Sequence, residues 1–325
     1  MNFFRNKKVL ITGGTGMIGK ALVASLLKDN ADITIVSLDD LEKKNKDIEI
    51  IKKDLREFSD CLNVCKKKDI VFHLAGVKGS PNMTKKKPAS FFVPTITFNT
   101  NVLEAARRCN VERILYTSSI GVYSPSKVFY EKDLWKTFPS ENDKFAGWAK
   151  RMGELQAESY KIEYGLSNIS IVRPANIYGP YANFDPENSM VIASLIRRIF
   201  NGENPLVVWG NGTAIRDFIF SEDVANAMLD VMQKKIEKPI NIGSGTGVSV
   251  KKLVNTILTN PLIKRKPKVI FDRSKPSGDK KRILDTKLAK SYGIKNKVSL
   301  EEGLARTIRY EFLEDNKDKR TFYTE

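Results

Sequence analysis

The sequence predicts an α/β fold: a doubly wound parallel sheet with helices on both faces, followed by a smaller C-terminal domain. Three observations carry that prediction. Short apolar runs rich in β-branched residues alternate with helix-length segments over the first 174 residues. A glycine-rich stretch joins the first run to the first helical segment. Beyond residue 174 the alternation breaks into loops rich in Pro, Asn and Gly at 174–188 and 202–213. Strands that alternate with helices pair in parallel, because each return crossing runs over a face of the sheet. The chain has 325 residues, of which 41% are hydrophobic, enough for two domains and a sizeable core.

Lys8 to Thr12 is the first strand and Lys20 to Leu27 shows the apolar spacing of a helix behind it, at Ala21, Leu22, Ala24, Leu26 and Leu27. Asp32 to Leu38 is a second strand and ends at Asp39. Further strands are expected at Ile48 to Ile51, Ile70 to Leu74, Arg113 to Thr117, Ile169 to Arg173 and Pro239 to Ile242. Helices are expected between them, notably Thr97 to Arg108 and Gly147 to Glu163. The tail from Glu314 reads as polar and frayed.

Gly13-Gly14-Thr15-Gly16-Met17-Ile18-Gly19 sits between the first strand and the first helix, the context that makes such a loop a dinucleotide cradle. Gly13 permits the tight turn, Gly16 lets backbone approach a pyrophosphate, and Gly19 allows close helix–strand packing. The diphosphate would rest on the helix N-terminus, where unpaired N–H groups and the helix dipole favour an anion. Asp39 lies 20 residues beyond Gly19, where a carboxylate would bind the adenosine ribose hydroxyls. A carboxylate there repels a 2′-phosphate, so NAD is expected over NADP. Lys43 and Lys44 stand close by in sequence and weaken that choice.

Composition narrows the rest. Lysine and arginine number 55 against 38 acids, a formal charge of +17. The basic residues are interleaved with acids, and the runs Lys66 to Lys68 and Lys85 to Lys87 lack the aromatics of a base-stacking surface, so nucleic acid is not expected as a partner. No apolar run reaches the length of about 20 residues that spans a bilayer. No signal-peptide core precedes Val9, and the expected location is cytoplasmic. His73 is the sole histidine and falls within a buried strand, which assigns it a structural role. Cys61, Cys65 and Cys109 have no CxxC spacing and no histidine partners, so no metal site is expected.

The glycine loop, Asp54-Leu55, Leu74-Ala75-Gly76, Thr117-Ser118-Ser119, Lys150 and Arg173-Pro174 together resemble the extended short-chain dehydrogenase/reductase family, over nearly the whole chain. Within it the chain is most similar to the GDP-L-fucose synthase branch. The segments carrying that likeness are Val77 to Ser80 through Pro88 to Phe91, and Ile177 to Tyr181 with Asn183-Phe184. Val207 to Thr213 with Arg216-Asp217-Phe218, and Phe271 to Gly278, complete it. The resemblance implies an NAD-binding Rossmann domain over 1–174, with 214–244 returning to it, and a nucleotide-sugar-binding cap over 175–213 and 245–325. It implies cofactor contacts from Gly13, Thr15, Gly16, Met17, Ile18, Gly19, Asp39, Asp54, Leu55, Leu74, Ala75, Gly76, Lys150 and Pro174. Ser118 or Ser119, with Ser119 favoured, would hydrogen-bond the reacting sugar oxygen, and Lys150 would bind the nicotinamide ribose. Lys78, Asn176, Arg198, Trp209, Arg216, Lys275 and Asp279 would meet the substrate. Read without the family, Arg198 is a solvated helix residue and Arg216 an ion-pair partner of Asp217. The resemblance also implies a homodimer built as a four-helix bundle from the helices near 97–108 and 147–163.

The departures from the family pattern bear on the chemistry. Its catalytic pair is Tyr-x-x-x-Lys on one helix face; here Lys150 is present but the tyrosine position is Ala146. The cysteine and histidine that epimerise in fucose synthases appear as Ile120 and Met190. The Asp-Glu pair of the 4,6-dehydratases appears as Ile120-Gly121. What survives is the hydride half of the chemistry, so the expected activity is NAD-dependent oxidation at C4 of a GDP-linked sugar. The resemblance points to the GDP-heptose 4-dehydrogenases of bacterial capsule synthesis, acting on GDP-D-glycero-D-manno-heptose. Two alternatives stay open. One is a GDP-4-keto-6-deoxy-sugar reductase/epimerase of the fucose synthase type in which alanine has replaced a natural tyrosine. The other is a catalytically silent NAD-binding sensor or assembly protein, for which erosion of Ser119, Lys150 and Arg216 would be expected; all three are present.

Overall fold

The computed structural model describes residues 3–39, 47–77, 79 and 81–313. Its strands are β1 (Lys8–Thr12), β2 (Asp32–Ser37), β3 (Ile48–Lys52), β4 (Ile70–His73), β5 (Arg113–Thr117), β6 (Ile169–Pro174), β7 (Asn176–Tyr178), β8 (Leu206–Trp209), β9 (Ile215–Phe220), β10 (Ile240–Ile242), β11 (Gly247–Ser249), β12 (Val269–Asp272) and β13 (Lys281–Arg282). The helices are α1 (Met17–Lys28), α2 (Phe58–Cys65), α3 (Pro81–Lys86), α4 (Pro88–Arg108), α5 (Lys144–Tyr164), α6 (Val191–Phe200), α7 (Ser221–Gln233), α8 (Val250–Thr259), α9 (Lys287–Ser291) and α10 (Leu300–Ile308).

Seven strands form one all-parallel sheet in the order β3-β2-β1-β4-β5-β6-β10. The expected α/β, doubly wound parallel Rossmann sheet is therefore what forms. Alternate residues of one strand feed opposite cores, as the two-residue pleat requires. Val9 and Ile11 join Leu22, Leu26 and Met228 beneath α1 and α7, whereas Leu10 joins Phe98, Val102 and Tyr116 beneath α2, α4 and α5. A sheet covered on both faces explains why these strands read as continuous apolar runs.

The remaining strands make two small sheets. One has the order β11-β9-β13 with β7 also on β9, and the other pairs β8 with β12 in parallel. Ile196, Leu206, Phe218, Leu253, Ile257 and Leu304 form their separate core. The segment 214–244 thus divides: β10 lies in the large sheet, and β9 lies in the small one.

Two helices differ from their expected bounds. α4 begins at Pro88 instead of Thr97 and runs through Pro94. Proline removes one ladder bond, to the Ser90 carbonyl; beside it Thr95 Oγ1 donates to Phe91 O at 2.6 Å and Thr97 Oγ1 to Val93 O at 2.9 Å. α5 begins at Lys144, three residues before the expected Gly147, and is closed by Gly165 in the left-handed region at φ +66°.

A buried ion pair joins α5 to the sheet. Arg173 of β6 donates from Nε to Glu154 Oε1 at 3.0 Å and from Nη2 to Glu154 Oε2 at 2.6 Å, with both side chains almost wholly buried. Arg173 Nη1 donates to Tyr123 Oη at 2.8 Å and to Glu131 O at 3.2 Å. Replacing Glu154 with Gln strands a buried guanidinium, and breaking such a pair costs about 3–5 kcal/mol. The urea midpoint of Glu154→Gln is expected to fall accordingly, with the m-value unchanged.

Candidate active site

The glycine loop closes at the C-terminal edge of the large sheet. Gly13 N donates to Val36 O at 2.8 Å and Gly16 N to Gly13 O at 3.1 Å. Gly13 sits at φ +68°, and a Cβ on it would lie 2.9 Å from Ala75 Cα. A Cβ on Gly19 would lie 2.5 Å from Gly14 Cα, so helix and loop touch backbone to backbone. Gly16 is different: its nearest neighbour would be Gly13 O at 3.4 Å, and it is exposed. The ground in front of α1 is therefore open to a ligand. The α1 N-terminus has no side-chain cap and no acid in its first turn, which leaves its first N–H groups for an external anion. These residues fit a dinucleotide diphosphate.

The ribose end follows β2. Asp39 is exposed and its N–H donates to Ser37 Oγ at 3.1 Å, while Thr15 Oγ1 and Ser37 Oγ are 3.0 Å apart. Lys20, one turn into α1, is nearly buried, with its ammonium 3.9 Å from the Tyr181 ring centre. Burial pulls Lys20 down to about 8, against the opposing pull of Asp39 and Glu311. Sequence spacing placed Lys20 in a helix but gave no sign that it lies within electrostatic range of Asp39. Asp54 is paired with Arg56, whose hydrogen bonds hold its carboxyl below the ordinary range. Leu55 follows it at the start of the turn into α2. It is buried, and its carbonyl accepts from Cys61 Sγ and Asn101 Nδ2.

A chain of buried hydrogen bonds runs from this loop to α5. Thr12 Oγ1 accepts from Ala75 N at 3.2 Å and lies 2.7 Å from His73 Nδ1, which accepts its proton because the neutral ring carries its own proton on Nε2. The proton sits on Nε2 because its partner at 2.9 Å is Asn99 Oδ1, an amide oxygen that can only accept. Asn99 Nδ2 donates to Tyr116 Oη, and Tyr116 Oη donates to the Lys150 carbonyl, both at 3.1 Å. Burial, helped by the charge of Lys150, drives His73 down to about 3, so the ring stays neutral as this chain demands. Leu74 and Ala75 are half-buried and Gly76 exposed along the same edge.

The two serines part company. Ser118 is buried and its hydroxyl donates to Glu154 Oε1, so it belongs to the α5–β6 tie and is withdrawn as a catalytic candidate. Ser119 is half-buried, caps the turn Ile120–Val122 by accepting from Gly121 N at 3.0 Å, and keeps its own proton available among the described residues. Lys150 is half-buried, with Nζ 5.3 Å from the Tyr116 ring centre. Ala146 is exposed one turn before it. The neighbouring Phe145 turns to Phe92, ring centres 5.9 Å apart. Ile120 is buried, and Met190 is exposed at the start of α6.

On the substrate side, Arg216 of β9 donates from Nη1 to Asp279 O at 2.7 Å and from Nη2 to Ser277 O at 3.1 Å. Burial, then the nearby Arg282, lowers its affinity for a proton. The alternative ion pair with Asp217 does not form, because Asp217 is fully buried and accepts from Ser244, Gly245 and Leu284 N–H groups. Asp279 Oδ1 accepts from Asn142 Nδ2 at 2.7 Å, and Arg282 Nη1 sits 2.5 Å from Asp143 Oδ2. Asp279 is thus an anchor of this cluster instead of a free substrate ligand. A cavity of about 590 Å³ opens beside it, lined by Ser124, Phe138, Ser140, Asn142 and Asp279. Arg198 lies outside the cluster. Its guanidinium is held by Glu203 and by Val207 O, so reaching a diphosphate would require giving up that pair. Asn176 Nδ2 donates to Asp217 O at 2.9 Å. Trp209 and Lys275 are exposed and Pro174 buried, while Lys78 lies outside the described residues. Asn142, Asp143 and Arg282 had no motif around them, and only the contact between α5 and β13 brings them to the site.

Comparison with known proteins agrees with this geometry. The sequence pattern of the NAD dependent epimerase/dehydratase family matches residues 9–243. The chain is 31% identical to the GDP-L-fucose synthase of Escherichia coli K12, over 96% of this chain and 98% of that one. It is 29% identical to the GDP-L-colitose synthase of Yersinia pseudotuberculosis, over 96% and 100%. Among solved structures, Thermotoga maritima UDP-glucose 4-epimerase with UDP-glucose superposes with a TM-score of 0.82 at 27% identity, covering 93% and 97% of the two chains. MoeE5 in complex with UDP-glucose and NAD gives 0.79 at 26%, covering 93% and 98%.

Two outcomes test the site. Gly16→Ala has room in the fold but sets a methyl group in front of α1, so NADH affinity measured by fluorescence falls tenfold or more, by ~1.4 kcal/mol, at unchanged melting temperature. Gly19→Ala instead lowers the melting temperature. For His73 the sign is as follows: its folded-state pKa is depressed, so the unfolded chain takes up a proton first as pH falls below 6.5. Stability is complete above pH 6.5 and is lost at about 1.4 kcal/mol per unit towards pH 3. The slope of unfolding free energy between pH 6.5 and 4.5 is expected to be shallower in His73→Gln.

Proposed function

The chain belongs to the NAD dependent epimerase/dehydratase family, and on that premise we propose that it transfers hydride at C4 of a GDP-linked sugar without epimerising its neighbours. One observation carries the reading. The cradle at Gly13–Gly19, Ser119 and Lys150 stand together at one sheet edge, while Ile120 and Met190 offer no exchangeable proton at C3 or C5. NAD bound in the cradle supplies or accepts the hydride. Ser119 donates a hydrogen bond to the sugar oxygen, and Lys150 sets a positive charge where negative charge develops on that oxygen. Arg216, with Arg282 beside it, would hold the substrate diphosphate through a planar donor fork.

The relatives that make GDP-L-fucose and GDP-L-colitose favour the reductive sense, a GDP-4-keto-sugar reduced to the alcohol. Oxidation of a GDP-heptose is the second reading. It is supported by the missing epimerisation residues alone, since neither of these relatives is a heptose dehydrogenase. A base of GDP type rests on the same relatives. The outer surfaces of α4 and α5 expose Val93, Leu155 and Ile162, and support a second copy of the chain as partner.

The test is NADH consumption with GDP-4-keto-6-deoxymannose in deuterated water. The expected product carries no deuterium at C3 or C5. Exchange at either carbon, or no consumption with any GDP-4-keto sugar and no NADH formation with any GDP-sugar, overturns the reading.

A further inference from the structure

We propose that Asp143 is the proton-transfer group of this site, taking the part for which Ala146 has no side chain; this rests on the hydride-transfer reading above. Asp143 is the residue immediately before α5, three positions before Ala146 and therefore close to the same helical face. Residues there commonly turn their side chain onto their own helix, but the Asp143 carboxylate makes no such cap. It reaches across to the loop after β5 instead. A Cβ on Gly121 would lie 3.3 Å from Asp143 Cγ and 3.5 Å from Ser119 Oγ. The carboxylate and the serine hydroxyl therefore border one small space, kept open because residue 121 has no side chain.

Charged groups from two strands surround Asp143. Arg282 of β13 presents Nη1 at 2.5 Å from Oδ2, and Asp279, on the loop before β13, lies 3.9 Å from the same guanidinium. Arg216 of β9 adds a further positive charge within electrostatic range. Ser119, already accepting from Gly121 N, has a proton to give to a sugar oxygen. In the oxidative sense the C4 hydroxyl proton passes to the carboxylate while Ser119 holds the oxygen. The C4–H bonding pair leaves with the hydride to the nicotinamide, and the C4–O bond becomes a carbonyl. In the reductive sense the same two transfers run backwards.

The experiment compares wild type, Asp143→Asn and Asp143→Ala, with NADH and GDP-mannose binding followed by fluorescence and turnover by NADH absorbance. Expected are an NADH dissociation constant within threefold of wild type and GDP-mannose binding no weaker than threefold, showing a folded site, with turnover down at least 100-fold. Sodium formate, supplying a carboxylate of the size removed, is expected to restore Asp143→Ala at least tenfold where sodium chloride does not. Wild-type turnover in Asp143→Asn overturns the proposal, as does a loss in Asp143→Ala that formate leaves unchanged. A wild-type protein that binds NADH yet turns over no GDP-sugar in either direction overturns the underlying reading, and the proposal with it.

Discussion

The buried pair between Glu154 and Arg173 is the constraint on which the site depends. Taking two charges out of water costs several kcal/mol per ion, offset only when the geometry is good and the remaining donors and acceptors are filled. Here they are filled: Arg173 gives two hydrogen bonds to the carboxylate and two more to Tyr123 and Glu131, and Glu154 also receives Ser118. Because Ser118 is consumed in this way, the chain direction after β5 is fixed and Ser119 is the hydroxyl left at the cleft. Because Glu154 sits one turn beyond Lys150, the same pair fixes the height of Lys150 above the sheet. A stability element thereby sets the distance between the two residues that would hold the reacting oxygen.

The His73 chain performs a second positioning task on the same face of the sheet. Each hydroxyl and amide in it has one allowed direction, from the Ala75 N–H at the cofactor edge to the Lys150 carbonyl. A buried imidazole tolerates only its neutral form there, and the positive charge of Lys150 reinforces that state. The segment after β4 and helix α5 are thus joined by polar contacts.

Much of this was legible in the sequence, and the limits have physical reasons. The sheet strands follow from short β-branched runs, whose pattern depends only on local burial. The glycine loop was legible because each glycine answers a local steric demand, seen most plainly at Gly13 and Gly19. The start of α4 was not, since Pro94 reads as a helix breaker and yet the helix runs through it. Ser118 and Ser119 are indistinguishable in sequence; the partner that separates them is 36 residues away. Asp143 and Arg282 are farther apart still, and their meeting is a property of how β13 returns beside β9.

The net charge of +17 makes sense in the same terms. Arg151 and Arg173 are buried in structural hydrogen bonds, and Arg198 is tied to Glu203. Arg216 and Arg282 are different, because each is only partly enclosed and they stand together beside an open cavity. Two guanidiniums in one place repel, and without a ligand that repulsion is relieved by Asp279 and Asp143. A diphosphate arriving there would satisfy both arginines at once and loosen the hold of Arg282 on Asp143. Substrate binding and release of the carboxylate towards the sugar oxygen would then be one event, which ties the recognition of the phosphates to the chemistry at C4.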